Sequence, residues 1–359
     1  MSFDERHQDN KKQGATLDNK MITIKDVAEA ANVSLATVSR VINNSEMVKP
    51  ERRDRVLKAI ENLGYLPNYA ARVLVTKKTE TIGVIVNNLH DPFFYDLIKG
   101  FETGAQQTSY NVIFCSIMGG DTQAKEKYIR YLNKGVVDAV VLYGSYMSDD
   151  ILTHYIGDDC PVKYLLVEND LPNFDCNKLL IDNKDGARIA TRYLIENGHR
   201  EIAHICGNPN KKVSLDRFNG FMETMRLSGL EVLDGYIQYT MAGYSNGYEC
   251  MKRLIQSEQR PSAVFCSDDA IASYAIRAAI DMGLRVPQDI SVMGFDNQKI
   301  LPDKYQGPEI TSMEQPLFDI GVDSIRILVD QVSGNVDQYV RKMYETTLIK
   351  KESVTRYDG

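Results

Sequence analysis

The sequence predicts a small all-α head joined to a larger body of two doubly wound α/β lobes. Residues 23–64 carry three short apolar patterns at helical spacing, with start and stop signals around them. From residue 81 the pattern changes. Short aliphatic runs at 82–86, 112–115, 139–142, 164–167, 202–205, 263–266 and 290–295 alternate with amphipathic helical segments at 94–107, 124–134, 186–197, 216–228, 247–256 and 269–282. One open sheet rarely needs so many strands, so two lobes with a cleft between them are expected. Charge divides the same way. Residues 21–78 hold ten Lys/Arg against six Asp/Glu, a balance of +4, so the rest of the chain sums to −11 within a total of −7. A basic head on an acidic body suits contact with a polyanion through the head alone.

Taken in order, residues 1–20 lack apolar periodicity and are expected to be a disordered tail. Thr23 and Asp26 form a capping-box pattern ahead of an apolar face at Ile24, Val27, Ala28 and Ala31. Asn32 tolerates the left-handed conformation of a sharp turn, and Ser34 caps a second helix with Val38, Val41 and Ile42 inward. This is a helix-turn-helix arrangement. Pro50 suits a first helical position; Val56, Ile60 and Leu63 face one way, and Gly64 is a stop. Residues 67–74 are long enough for one short helix only, and Lys77-Lys78-Thr79 links to the body. The expected domains are 21–66 for the head and 67–79 for the hinge helix and linker. The first lobe is expected at 80–182 and 312–342, the second at 183–311 and 343–357.

The six cysteines show no CxxC pair and no metal-like spacing with histidine, so buried thiols in a reducing cytoplasm are expected, with no metal and no cofactor. The N-terminal segment has no apolar core of a signal peptide, and no apolar run reaches the roughly 18–20 residues of a membrane span. An enzyme would need a recognisable constellation. Asp268, Asp269, His199, His204 and Ser214 sit in no GxSxG elbow, and no P-loop or GxGxxG occurs, so the two histidines read as structural and the chain as no enzyme.

The second head helix is the candidate reader of DNA. Leu35 and Ala36 are apolar at its exposed start, where they suit a thymine methyl, and Arg40 one turn on suits guanine. Thr37, Ser39 and Asn43 suit phosphates. With Thr23 and Ser34 these form the expected contact set on a pseudo-palindromic duplex.

Thr23-Ile24-Lys25-Asp26-Val27-Ala28, Val33-Ser34, Thr37-Val38-Ser39-Arg40-Val41-Ile42-Asn43 and Gly64-Tyr65-Leu66-Pro67-Asn68 together resemble the head of the lactose/galactose repressor family. The resemblance continues through Thr81-Ile82-Gly83-Val84-Ile85, Gly198-His199, Pro261-Ser262-Ala263-Val264-Phe265, 283–290 and Gly294-Phe295-Asp296. Asn32 departs from the glycine usual there. The resemblance implies a periplasmic-binding-protein-like body and a DNA-binding repressor under allosteric control. It also implies a hinge helix over Asn68, Ala71 and Leu74 that folds on DNA, with Leu74 wedged into the minor groove. So short a segment needs a partner hinge beside it, hence a homodimer.

Loops at the carboxyl ends of parallel strands line clefts in α/β sheets. Phe93 and Phe94 follow the first body strand. Arg217 and Asp296 are the expected charged pair, able to grip vicinal hydroxyls of a small carbohydrate, with Phe93 or Phe265 against the apolar ring face. The resemblance places Arg217 and Asp296 in an effector pocket that takes a sugar or sugar phosphate. Glu168 and Asp269 are further candidates. The recognition helix is similar to that of the catabolite-control branch, which answers to phosphorylated HPr. Asp319 and Arg326, seven residues apart on one helix face, match docking positions of that branch. Phe318 and Asp330 stand where it has Tyr and Lys, and Arg217 favours a small ligand.

Overall fold

The computed structural model describes residues 22–42, 47–65, 73, 78–117, 122–144, 154, 160, 162–171, 174–241 and 243–358. The tail at 1–20 and the hinge positions Asn68, Ala71 and Leu74 lie outside them. The chain divides into two compact units, Met1–Lys78 and Thr79–Gly359.

In the head, α1 (Ile24–Ala30), α2 (Leu35–Ile42) and α3 (Pro50–Leu63) enclose one core of Val27, Ala28, Ala31, Val38, Val41, Val56, Ala59 and Tyr65. The start of α1 is fixed by Thr23, whose backbone N–H and hydroxyl both donate to the Asp26 carboxylate at 2.7 and 2.6 Å. Asn32 has φ 50°, the left-handed geometry that lets α2 follow α1 so closely. The Ser34 hydroxyl accepts from the Thr37 N–H at 3.2 Å and caps α2. Gly64, φ 60°, ends α3.

The body holds two parallel sheets. The first is ordered β11-β5-β4-β3-β1-β2, with β1 (Thr81–Val86), β2 (Asn111–Ser116), β3 (Ala139–Tyr143), β4 (Lys163–Val167), β5 (Asn177–Ile181) and β11 (Arg341–Tyr344). The second is ordered β7-β6-β8-β9, with β6 (Ile202–Cys206), β7 (Ile237–Tyr239), β8 (Ala263–Cys266) and β9 (Ser291–Met293). On the first sheet lie α4 (Tyr95–Thr108), α5 (Thr122–Leu132) and α10 (Leu317–Val332). On the second lie α6 (Asn183–Glu196), α7 (Lys212–Leu227), α8 (Gly247–Ile255) and α9 (Asp269–Asp281). The inner strands β1, β3, β4, β5, β6 and β8 are buried along most of their length, as crossover helices on both faces require, while the edge strands β2, β7 and β11 are partly exposed.

Strands β5 and β7 were not legible as strands. Lys178 interrupts the first, with its ammonium donating to the Leu171 carbonyl, and the second is only three residues long. The crossings between lobes also differ from expectation. Residues β10 (Ser312–Glu314) pair antiparallel with β12 (Thr347–Ile349) and bridge through Glu314 to Asp296, so the first lobe resumes with α10 rather than at 312. Its last strand, β11, runs two residues past 342, to Tyr344.

Helices α4 and α10 touch at glycine. A β-carbon on Gly321 would lie 2.5 Å from the Leu97 carbonyl oxygen, and one on Gly100 2.2 Å from that of Phe318. Backbone cannot yield as a flexible side chain would. Gly321→Ala is therefore expected to cost about 1–3 kcal/mol by overpacking, read as a lower urea midpoint at unchanged slope. An unchanged midpoint would contradict the close helix contact.

Candidate functional site

On α2, Val38 and Val41 point into the head core while Leu35, Ala36 and Arg40 face outward. Leu35 keeps 44% of its surface exposed beside Ala36, an apolar start that water does not favour. Thr37 and Ser39 are half-buried, and the Thr37 hydroxyl shares a 2.9 Å hydrogen bond with that of Ser34. Thr23 is exposed at the start of α1. Asn43 lies outside the described residues.

In the body, the cleft wall is built around Arg217, six residues into α7 and only 6% exposed. Its Nε donates to Asn183 Oδ1 at 2.8 Å, one terminal nitrogen donates to the Ser267 carbonyl at 2.5 Å, and the other meets Asp296 Oδ1 at 3.1 Å. The guanidinium lies 3.7 Å from the centroid of the Phe295 ring. Asp296 follows β9 with φ 100°, a strained conformation for a non-glycine residue, and also accepts from the Gln315 side chain. On the other side of Asn183, the Glu168 carboxylate accepts from the Asn183 amide at 3.0 Å and from the Ile181 N–H at 2.9 Å. Glu168, Asn183, Arg217, Asp296 and Gln315 thus form one hydrogen-bonded chain that joins the first lobe to the second.

Aromatic residues complete the wall. Phe93 and Phe94 stand edge-on to each other, with centroids 5.1 Å apart, and Phe94 is edge-on to Tyr143 at 5.0 Å. Phe93 is half-buried and lines a cavity of about 350 Å3 together with Tyr95, Asp296, Gln298 and Gln315, at the small end of ligand pockets. Phe94 is buried in the first-lobe core. At the cavity mouth Lys299 spans the lobes to both Asp96 oxygens, at 2.9 and 2.7 Å. A second cavity of about 230 Å3 is lined by Glu168, Asn183, Lys212 and Asp216.

Two expected ligand residues are turned to other work. Phe265 is fully buried, its ring stacked on His204 at 4.8 Å within the second-lobe core. Asp269 is also buried; it accepts from the Ser312 hydroxyl and from the Gln298 N–H, both at 2.7 Å, and so anchors the crossing strand and the loop after β9. Both histidines are internal. His199 bonds Ser262 and the Thr355 carbonyl, and His204 bonds the Phe265 carbonyl, with burial pushing it down to about 4. Asp319 and Arg326 are exposed on α10, and Arg326 is held by Asp323 at 2.6 Å. Tyr143, Asn183, Ser267 and Gln315 escaped the sequence reading. The first three lie at or just beyond the carboxyl ends of β3, β5 and β8, a position that could have flagged them.

Burial raises the Asp296 carboxyl to about 7; Arg217 opposes this, and Asp268 adds to it. Burial likewise raises Glu168, with Arg217 opposing. A carboxyl raised in the folded state contributes stability below its unfolded value of about 4, and that contribution is lost as pH rises through about 7. Wild-type stability is therefore expected to rise relative to Asp296→Asn as pH falls from about 7 toward about 4. Urea denaturation of both proteins across that window tests this, and parallel profiles would contradict it.

An exposed reading helix on one unit and a polar, aromatic-walled cleft on the other define a DNA-binding protein with a ligand-binding body. Comparison with known proteins agrees. Residues 23–68 match bacterial regulatory proteins of the lacI family, and residues 191–354 match the periplasmic binding protein-like domain. The HTH-type transcriptional repressor PurR of Histophilus somni (strain 129Pt) is 33% identical over 338 residues, covering 93% of this chain and all of that protein. Catabolite control protein A of Priestia megaterium is 34% identical over 313 residues, covering 86% and 91%. The solved transcriptional regulator CelR–cellobiose complex is 30% identical at a TM-score of 0.68, covering 92% and 99%. The chain belongs to the lacI family of bacterial regulatory proteins and is a DNA-binding transcriptional regulator. Among the described residues, no helix is long and apolar enough to cross a membrane.

Proposed function

We propose that this regulator is a homodimeric repressor of a pseudo-palindromic operator, governed by a small carbohydrate bound between the two lobes. The observation that carries the effector class is the Arg217–Asp296 pair. It is buried, backed by Phe295, and flanked by the Ser267 hydroxyl and the Gln315 carbonyl oxygen, both buried without a hydrogen-bond partner among the described residues. Buried polar atoms normally find partners, and sugar hydroxyls would supply them here. The CelR complex with cellobiose supports the same class. Ligand binding biases the geometry of two paired hinges at Asn68–Leu74, and so the affinity for DNA; it shifts that equilibrium only by its differential affinity for the two states. Docking of phosphorylated HPr on α10 is the weaker reading, because Arg326 already pairs with Asp323.

A thermal-shift screen separates these readings, since whatever binds only the folded state raises the melting temperature. Cellobiose, other sugars, sugar phosphates and phosphorylated HPr form the panel, with operator affinity measured for each hit. A carbohydrate that raises the melting temperature and changes operator affinity is the expected result. A response to phosphorylated HPr alone would replace the carbohydrate reading.

A further inference from the structure

We propose that Asp269 is a positioning residue: it touches no ligand, but holds the strained turn that aims Asp296 at Arg217. This rests on the reading of that pair as the one that faces the effector. Asp269 opens α9 and is buried. It grips the chain on both sides of Asp296. Ahead of Asp296, the Asp269 N–H donates to the Phe295 carbonyl at 2.8 Å, and Oδ1 lies so close to Gly294 that a β-carbon there would stand 1.9 Å from it. Beyond Asp296, Oδ2 accepts from the Gln298 N–H and Oδ1 from the Ser312 hydroxyl, both at 2.7 Å. The Ser312 oxygen accepts in turn from the Asn297 N–H at 3.0 Å. Residues 294, 295, 297 and 298 all meet this one buried residue, directly or through Ser312, while Asp296 between them spends its carboxylate on Arg217 and Gln315.

The turn needs such a hold. Asn297, φ 49°, sits near the left-handed well that asparagine tolerates, whereas Asp296, φ 100°, lies outside it. A conformation of that kind persists only where its surroundings over-determine it. Other bonds tie the turn to the crossing segments. The Asp296 N–H donates to the Met313 carbonyl at 2.7 Å, and the Asn297 side chain bonds Glu314 and Lys351. Asp269 ties the turn to α9 and, through Ser312 of β10, joins the two holds into one. Burial raises the Asp269 carboxyl, and Asp296 adds to this. Ionised, Asp269 accepts from both partners; protonated, it still accepts from Gln298 and donates to the Ser312 oxygen. The clamp therefore works in either state, and asparagine, with one acceptor and one donor, reproduces it. Without the clamp the turn relaxes and carries the Asp296 carboxyl out of its buried seat beside Arg217.

The test is urea denaturation of the full-length protein from about pH 7 down to about pH 4. Wild type, Ser312→Ala, Asp269→Ala and Asp269→Asn are each paired with the same protein carrying Asp296→Asn. The stability difference within a pair reports the Asp296 carboxyl. That carboxyl is faced by Arg217 from α7, by Asp268 and Asp269 at the start of α9, and by Tyr143 and Tyr244. Ser312→Ala alters none of them. In wild type the difference grows as pH falls through about 7. In Ser312→Ala and Asp269→Ala it should be flat, as for a carboxyl whose folded and unfolded values coincide near about 4. Asp269→Asn should keep the wild-type profile. A merely structural role would lower stability equally at every pH, and wild-type growth in both alanine variants overturns the inference. Growth lost in Asp269→Asn but kept in Ser312→Ala assigns the effect to charge and overturns it too, as does a flat profile in wild type. Should Asp269→Ala give no cooperative transition, Ser312→Ala carries the test. No sugar enters it, so this inference can fail while the carbohydrate reading stands.

Discussion

Arg217→Ala is expected to abolish the ligand response while leaving operator recognition intact. The guanidinium is held on three sides by Asn183, Ser267 and Asp296 and covered on its face by Phe295. Its loss leaves Asp296 buried without its counter-charge, which costs on the order of 3–5 kcal/mol. Protonation of Asp296, already raised to about 7, moderates that cost and places it at the lower end near neutral pH. The head has its own core and belongs to a separate compact unit, so its contacts with DNA stand. Denaturation measures the stability loss, and fluorescence anisotropy on labelled operator, with and without the sugar found by screening, measures the response. A response of wild-type size in the variant would move the effector site away from Arg217.

Arg40→Ala should act in the opposite place. Arg40 is exposed on α2 and makes no ion pair among the described residues, so the fold loses little. A bidentate arginine–guanine contact is worth about 1–3 kcal/mol of discrimination at one base pair. The variant is therefore expected to bind half-sites altered at one position nearly as well as the parent site, while remaining selective elsewhere. Titrations on a set of single-position half-site variants at fixed salt give the answer. Full retention of the wild-type preference would remove Arg40 from the base-reading set.

Part of the Arg217 cluster was legible in the sequence. Arg217 and Asp296 stood out as a charged residue early in a helix and another just past a strand, and it was the family resemblance that assigned the pair to an effector pocket. Phe265 misled for a physical reason. A central parallel strand is buried on both faces, so its alternation does not tell which ring faces a cleft and which packs inward. Here the inward partner is His204, 61 positions before Phe265 in sequence but stacked directly on it in space. Asp269 misled similarly. Its carboxylate is used by Ser312 and Gln298, partners brought to it only by the return of the chain between lobes.

By itself, the sequence determined the local features: three capped head helices, the left-handed turn at Asn32, the strand–helix alternation of the body, and the outward set Leu35, Ala36 and Arg40. These depend on residues within a turn or two of one another, where propensity and period act directly. Only the tertiary structure decided which polar groups are consumed by the fold and which remain for a ligand. It joined Glu168, Asn183, Arg217, Asp296 and Gln315 into one chain, buried Phe265 and Asp269, and left the Ser267 hydroxyl and the Gln315 carbonyl oxygen buried without a hydrogen-bond partner among the described residues. Hydrogen-bond satisfaction is a property of the whole packed molecule, because each partner comes from a different segment.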